Sequence, residues 1–283
     1  MKCVCVGDNV IDYYVNNKRM YPGGNAVNVA VHLAKLGMDS AYFGNYATDE
    51  MAHVIQRALK KFHVDDSNCY EIPDASTKHC VYNVIDGERT FLRVELGPNW
   101  QGPMHLSEKD MEYLSTFDAV ISSCNAKMEY EMKRIGELNN LFVYDFGEKE
   151  KYRTDEYLDK VCPNLDLALF SLEKTSEENV RAFAERMLDK GVKNVLVTMG
   201  RSGQYLINRN LMVHGESKLV DAVDTMGAGD SFLAAFVKEM LLAGWQKGDI
   251  LSEEKVKRAL ECGSEYAREN CLVEGGFGYE VLQ

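Results

Sequence analysis

Three short stretches combine glycine with acids, amides or hydroxyls at spacings that suit group-transfer chemistry. The sharpest reads Asp221-Ala-Val-Asp224-Thr225-Met226-Gly227-Ala228-Gly229-Asp230-Ser231-Phe232. Gly227, Ala228 and Gly229 lead into apolar positions at Phe232, Leu233, Ala235, Phe236 and Met240, the pattern of an amphipathic helix. Small residues at a helix start let unpaired backbone N–H groups approach an anion, and the helix dipole adds partial positive charge there. Such an anion hole can hold the charge that develops on a transferring phosphoryl group. Asp230 falls in the first turn, where it suits a base that accepts the proton of an attacking hydroxyl. An ordinary helix start, with an acid near the dipole, accounts for the same letters; spacing alone does not separate the two readings.

The second stretch, Pro22-Gly23-Gly24-Asn25-Ala26-Val27-Asn28-Val29-Ala30, also precedes a helix. Asn25 and Asn28 are three apart and share one side of the first turn. Amides both donate and accept, which suits a polyhydroxy ligand. Asn28 occupies a position where an amphipathic helix would carry an apolar residue, and a buried amide needs partners. Asn25 also reads as a plain helix N-cap. Upstream, Gly7-Asp8-Asn9 and Asp12 follow the first apolar run, and Asp12 is placed to accept hydrogen bonds from hydroxyls or to sit as a solvated turn carboxylate. The third stretch, Val197-Thr198-Met199-Gly200-Arg201-Ser202-Gly203, follows a strong strand, at the kind of strand end where α/β proteins bind ligands. Taken alone it reads as a turn before the next strand, Gln204–Asn208.

Several other phosphate motifs are absent from the sequence. There is no Gly-x4-Gly-Lys-Ser/Thr loop, no His-Arg-Asp with a downstream Asp-Phe-Gly, and no Gly-x-Gly-x-x-Gly after the first strand.

The elements that must position these residues alternate. Residues 2–7, 40–43, 119–122, 141–145, 167–170 and 195–199 are short apolar runs that read as buried strands. Helical spacing is expected over 26–36, 49–62, 108–116, 127–137, 176–190 and 230–243. This alternation predicts an α/β fold with a mostly parallel sheet covered by helices on both faces. Residues 80–85 and 90–94 flank Asp86-Gly87-Glu88, a hairpin signal that does not fit the alternation and predicts a small separate sheet, projecting as a lid. No repeat or linker divides the chain. The expectation is one domain over 1–283, with lid segments near 12–20 and 78–96.

The 283 residues are 46% hydrophobic and 27% charged, an ordinary globular composition. A net charge of −12 argues against nucleic acid and means that any phosphate must be held locally. The start lacks the pattern of a secretory leader, and no run approaches a membrane span. The eight cysteines lack metal spacing and read as core residues of a cytoplasmic protein.

Together, Gly-Gly-Asn-Ala-Val-Asn at 23–28 and Asp-Thr-Met-Gly-Ala-Gly-Asp at 224–230 resemble the two signatures of the PfkB, or ribokinase-like, carbohydrate kinases. The resemblance extends over nearly the whole chain. It implies a central sheet with a β lid over a sugar, and use of ATP with Mg²⁺. In some members a monovalent cation such as K⁺ sits near the position of Asp224. It implies Asp230 as the base, Gly227, Ala228 and Gly229 as the anion hole, and Thr198, Gly200 and Gly203 along the nucleotide. Asp12, Gly24, Asn25 and Asn28 would contact the substrate. The family's Asn-x-x-Glu, which helps organise the metal, is replaced by Ser171-Leu172-Glu173-Lys174, leaving Glu173 as a stand-in shifted by one position. Gly-Asp-Asn-x-x-Asp at 7–12, the 23–31 and 224–232 strings and Tyr144-Asp145-Phe146 most resemble members that phosphorylate a fructosamine, implying fructoselysine as the favoured substrate. Another small sugar, a sugar acid or a nucleoside is the alternative, and a non-catalytic sugar- or nucleotide-binding regulator a remote one. Glu88 and Glu95 are candidate partners for the amine of such a substrate, and also read as a solvated hairpin face. A homodimer through the lid is a further expectation.

Overall fold

The computed structural model describes residues 1–16, 18–85, 88–97, 102 and 104–281, with the side chains of residues 84, 85, 88 and 89 excepted. In chain order the first half comprises β1 (Lys2–Val6), β2 (Val10–Tyr14), β3 (Arg19–Gly23), α1 (Asn25–Lys35), β4 (Asp39–Phe43), β5 (Asn45–Tyr46) and α2 (Glu50–Lys61). There follow β6 (Tyr70–Glu71), β7 (His79–Ile85), β8 (Glu88–Glu95), α3 (Glu108–Leu114), β9 (Ala119–Ser123), α4 (Met132–Gly136) and β10 (Leu141–Asp145). The remainder is α5 (Asp155–Val161), β11 (Leu167–Ser171), α6 (Glu177–Asp189), β12 (Asn194–Thr198), β13 (Gln204–Ile207), β14 (Met212–Gly215), α7 (Ala228–Leu242) and α8 (Glu253–Asn270).

The main sheet has eight strands in the order β14-β13-β12-β11-β10-β9-β1-β4. From β12 to β4 every pairing is parallel, whereas β13 and β14 close one side as an antiparallel hairpin. Strand side chains alternate between two cores. Cys3, Cys5, Leu141, Val143, Leu167 and Leu169 join one core with α1, α2, α7 and α8. Val4, Val6, Phe142, Tyr144, Ala168 and Phe170 join the other with residues of α3, α4, α5 and α6. Strands apolar on both faces lose no side chain to water, which is why they read as unbroken hydrophobic runs. On one face α8 lies close against α7 because Gly263 has no side chain: a Cβ there would come 2.8 Å from the Phe232 ring.

The second sheet, in the order β3-β2-β7-β8, is the lid. It pairs β2 with β3 antiparallel, β2 with β7 parallel, and β7 with β8 antiparallel. Its strands start as early as Val10, and β3 runs on to Gly23. Asp86 and Gly87 of the expected turn lie outside the described residues, but the antiparallel pairing they predict is present. A small cluster of Tyr14, Tyr21 and Met226 seats the base of the lid on the loop before α7. The helix expected over 127–137 is shorter, because a 3-10 turn at Cys124–Ala126 ends in left-handed Lys127 (φ 54°) and α4 starts only at Met132. The helix α8 was not anticipated. None of the cysteines forms a disulfide, and no helix among the described residues is long and apolar enough to cross a membrane.

Candidate active site

Parallel strands put all their C-terminal ends on one edge, and there the starts of α1 and α7 meet. Asn25 Nδ2 lies 2.7 Å from Asp230 Oδ1 and 2.8 Å from Asp145 Oδ2. Asn28 Nδ2 donates to the second Asp230 oxygen, Oδ2, at 2.7 Å. Two amides from the first turn of α1 therefore hold the carboxylate in the first turn of α7, across about 200 residues of sequence. The Oδ1 atoms of both amides are buried without a hydrogen-bond partner among the described residues. Buried acceptors of this kind are costly unless something supplies a donor; a hydroxylated ligand would.

Burial raises the Asp230 carboxyl from its ordinary value to about 8, and the negative charge of Asp145 adds to the rise, against the hydrogen bond from Asn28. Asp145, at the end of β10, is itself pushed up to about 6 by burial, opposed by hydrogen bonds from the Gly147 N–H and Asn25. Two acids in one poorly solvated spot disfavour each other's ionisation, so the edge holds a poised carboxyl.

Gly227 caps α7 in the left-handed region (φ 70°) with no side-chain cap. A Cβ there would strike the carbonyl of Gly276 at 2.3 Å. That carbonyl is held in turn by His32 Nε2 at 2.9 Å and by Asn270 Nδ2 at 3.2 Å. The Nε2 atom must carry the proton, because a carbonyl cannot donate, and burial lowers His32 to about 3, which keeps the ring neutral. Gly229 is the open part of this start: it is exposed, and a Cβ built on it would meet nothing within 4 Å. The Ala228 N–H is taken up by the Thr225 carbonyl at 3.3 Å, while the helix dipole and the open Gly229 suit an anion at this terminus. Just upstream, Asp224 is buried. Its Oδ2 accepts from Tyr14 Oη at 2.5 Å and the Gly275 N–H at 2.9 Å, and its Oδ1 from the Met226 N–H at 2.9 Å. Tyr14 belongs to the lid, so this bond ties the lid to the loop before α7.

The remaining expected residues are distributed around this centre. Asp12, on β2, is buried against the α1 start, where a Cβ on Gly23 would come 2.5 Å from its Oδ2. Gly24 (φ 106°), rather than Asn25, is the cap of α1, and its lack of a side chain lets the chain pass the Asp8 carbonyl, 2.7 Å from a built Cβ. Freed from capping, Asn25 turns its amide to Asp145 and Asp230. Thr198 ends β12 and shares a hydroxyl contact of 3.1 Å with Ser171. Gly200 (φ 52°) is exposed in the following turn. Gly203 has a packing reason to be glycine: a Cβ would lie 2.4 Å from the Gly215 carbonyl. Glu173 is exposed, past the end of β11. Among the described residues no group of three or more His, Cys, Asp or Glu could hold a metal. Glu95 is exposed on the lid edge and is bonded by Arg93 Nε at 2.7 Å; Glu88's side chain lies outside the described set.

Sequence reasoning gave no role to Asp145, Tyr14 or the Gly275–Gly276 turn. Each reaches the site through contacts far apart in the chain. The ending of a buried strand on an acid, Leu-Phe-Val-Tyr-Asp145, was the available signal for the first.

The fold and the meeting of two glycine-led helix starts define an α/β phosphotransferase, and comparison with known proteins makes that particular. The family model described as pfkB family carbohydrate kinase matches residues 2–277, and the chain belongs to this family. It is a carbohydrate kinase with the ribokinase-like fold. It is 32% identical over 281 residues to a fructosamine kinase of Bacillus subtilis (strain 168), a match covering 99% of this chain and 94% of the relative. It is 29% identical to the fructoselysine 6-kinase of Escherichia coli (strain K12), over 88% of this chain and 90% of the relative. Among solved structures, Arabidopsis thaliana ribokinase complexed with ribose and ATP superposes with a TM-score of 0.79 at 19% identity, covering 98% of this chain and 94% of the other. A fructokinase with bound ATP from Xylella fastidiosa gives a TM-score of 0.79 at 17% identity, with the same coverages.

Proposed function

We propose that this kinase transfers the γ-phosphoryl group of ATP to a primary hydroxyl of a fructosamine, with fructoselysine the favoured substrate and Asp230 the base. The observation that carries the role of Asp230 is its placement: a carboxyl poised near neutrality, gripped by Asn25 and Asn28, one residue from the exposed and unobstructed Gly229. A substrate hydroxyl arriving there exchanges the amide contacts for its own, gives Asp230 its proton, and attacks in line. The charge that develops meets the N–H groups of Gly227 and Gly229 and that of Ala228, which exchanges its bond to the Thr225 carbonyl for the phosphoryl group. Asp12, Gly24, Asn25 and Asn28 hold the sugar, and Thr198, Gly200 and Gly203 shape the nucleotide end. Bound Mg²⁺ supplies charge neutralisation on the phosphates, with Glu173 its candidate protein partner. The fructosamine choice draws on the two curated relatives, a fructosamine kinase and a fructoselysine 6-kinase.

The lid's outer strand leaves Phe91, Leu92 and Val94 about half exposed (53%, 47% and 47%) on an edge that no strand among the described residues pairs. Such edges are normally covered, and a second copy of the chain is the proposed cover. Light scattering should give twice 32.0 kDa, and Leu92→Glu should halve the mass; a monomer in the unaltered protein rejects the dimer.

The test of the function is coupled-assay phosphorylation with ATP and Mg²⁺, with and without K⁺, on fructoselysine, fructose and ribose. A large preference in kcat/KM for fructoselysine supports the reading, since specificity is a ratio of those constants. Turnover of a plain sugar alone would leave a sugar kinase and remove the fructosamine.

A further inference from the structure

Beside the sugar site is a cavity of about 80 Å³ behind the loop that follows β1, walled in part by Asp8, Asn9, Asn45, Lys78, Asn125 and Lys127. Its polar groups are incompletely matched to one another. The Asp8 side chain is 9% exposed, its Oδ1 is buried with no hydrogen-bond partner among the described residues, and its Oδ2 stands 3.8 Å from Lys78 Nζ. That separation is too long for a hydrogen bond. Asn45 Oδ1 is likewise buried without a partner there, while its backbone carbonyl accepts from Asn9 Nδ2 at 2.8 Å. One wall therefore offers acceptors awaiting a donor.

The other wall is cationic. Lys78 and Lys127 line the cavity, and Lys149 and Lys151 stand close enough to act on Lys127. Burial first, and then these three lysines, pull the Lys127 ammonium below its ordinary value. Gathering like charges is costly, and Glu129 near Lys127 and Asp8 near Lys78 offset it only in part, since the Lys127 ammonium still falls below its ordinary value. An arriving carboxylate would relieve the repulsion.

The cavity adjoins the floor of the sugar site. Gly24 passes against the Asp8 carbonyl, and the charge of Asp8 reaches both Asp145 and Asp230. A water needs about 10–15 Å³, so the space takes roughly half a dozen small groups, enough for an amino-acid head.

We propose that this cavity is the subsite for the amino-acid half of the substrate, with Asp8 and Asn45 receiving its ammonium and Lys78 and Lys127 its carboxylate. A plain hexose carries neither charge and leaves the subsite empty, so the subsite is what separates a fructosamine from fructose. The inference rests on the fructosamine reading above.

The experiment measures kcat/KM of the full chain on fructoselysine, on fructoselysine with its carboxylate amidated, and on fructose, for the unaltered protein, Asp8→Asn and Lys127→Gln. The fructoselysine-to-fructose ratio should fall at least about tenfold in both variants, the size expected for losing a charge-assisted contact. Amidation should cost the unaltered protein about tenfold and Lys127→Gln little. Because Lys127 is exposed, its variant keeps the test decisive even if Asp8→Asn folds poorly. A protein that prefers fructoselysine, but whose ratio is unmoved by Lys127→Gln and by amidation, overturns the subsite and leaves the fructosamine reading standing. Turnover of fructose alone overturns both.

Discussion

The helices of this protein begin in three ways. Four that pack on the sheets are closed by their own side chains: Asp49 Oδ1 accepts from the Ala52 N–H at 2.9 Å, Ser107 Oγ from Asp110 at 3.3 Å, Thr154 Oγ1 from Tyr157 at 3.4 Å, and Ser176 Oγ from Asn179 at 3.2 Å. Two more, α4 and α8, start on Glu131 and Ser252 with no side-chain cap. The two that meet at the site, α1 and α7, begin instead on glycines at φ 106° and 70°, with no side-chain cap. A capped start has spent its donors within the chain; an uncapped start over an open surface keeps them for an anion. On the proposed reading the glycine starts serve chemistry and the capped starts serve stability, a contrast that can be broken from either side.

The largest effect is expected at Asp230. Asp230→Asn should lower kcat by about 10²–10⁴-fold, the range for removing a general base, while ATP binding by calorimetry stays near that of the unaltered protein. Near-normal turnover would reject the base. The same variant should melt higher. Asp230 titrates near 8 when folded and near 3.8 when unfolded, so between those values the folded state binds the extra proton and loses stability as pH rises. The asparagine has no such cost, and its advantage in Tm should widen from about pH 4 to about pH 8.

Next comes the helix start itself. Gly229→Ala adds a methyl group where nothing lies within 4 Å, so folding should be untouched. The methyl occupies the approach to the N–H groups, and kcat should fall about 10²–10³-fold, as for loss of an oxyanion-type donor. Unchanged kcat would mean that the charge is held elsewhere. Asp145→Asn should act more gently. Burial is the chief reason for the raised Asp230 carboxyl, and Asp145 the second. Removing the second charge lowers it, so the acid limb of kcat/KM against pH should move to lower pH, with less than about a tenfold change at the plateau. An unmoved limb would show that the two carboxyls do not sense each other.

What the sequence disclosed follows the range of the interactions involved. Gly227 to Asp230 and Gly24 to Asn28 were legible because glycine, small and acidic letters within one turn carry their own geometry. The sheet was legible because strands buried on both faces are unbroken apolar runs. Asp145 was not, because the amide it shares with Asp230 belongs to Asn25, 120 residues earlier. Asn25 read equally as a cap, and only the backbone of Gly24 shows that it is not one. The polar helix α8 was missed for a different reason. Its buried Val256, Ala259, Leu260 and Gly263 follow Ser252 at helical spacing, but two of the four are too small to register as hydrophobic, although Gly263 is what admits the Phe232 ring of α7.

The smallest effect is expected at a packing helix, and it bounds the whole comparison. Ser176→Ala removes the oxygen that closes α6, whose buried face is Val180, Ala184, Met187 and Leu188. The loss of a cap of this kind costs about 1 kcal/mol, which in a chain of this size lowers Tm by about 2 °C. The helix stays seated on the sheet through its apolar face, so kcat and KM should stay within about twofold of the unaltered protein. Gly229→Ala is its mirror image, with Tm held and kcat lost. If Ser176→Ala instead cost activity, or Gly229→Ala cost only stability, the two kinds of helix start would share one function and the glycine starts of α1 and α7 would say nothing about ligands.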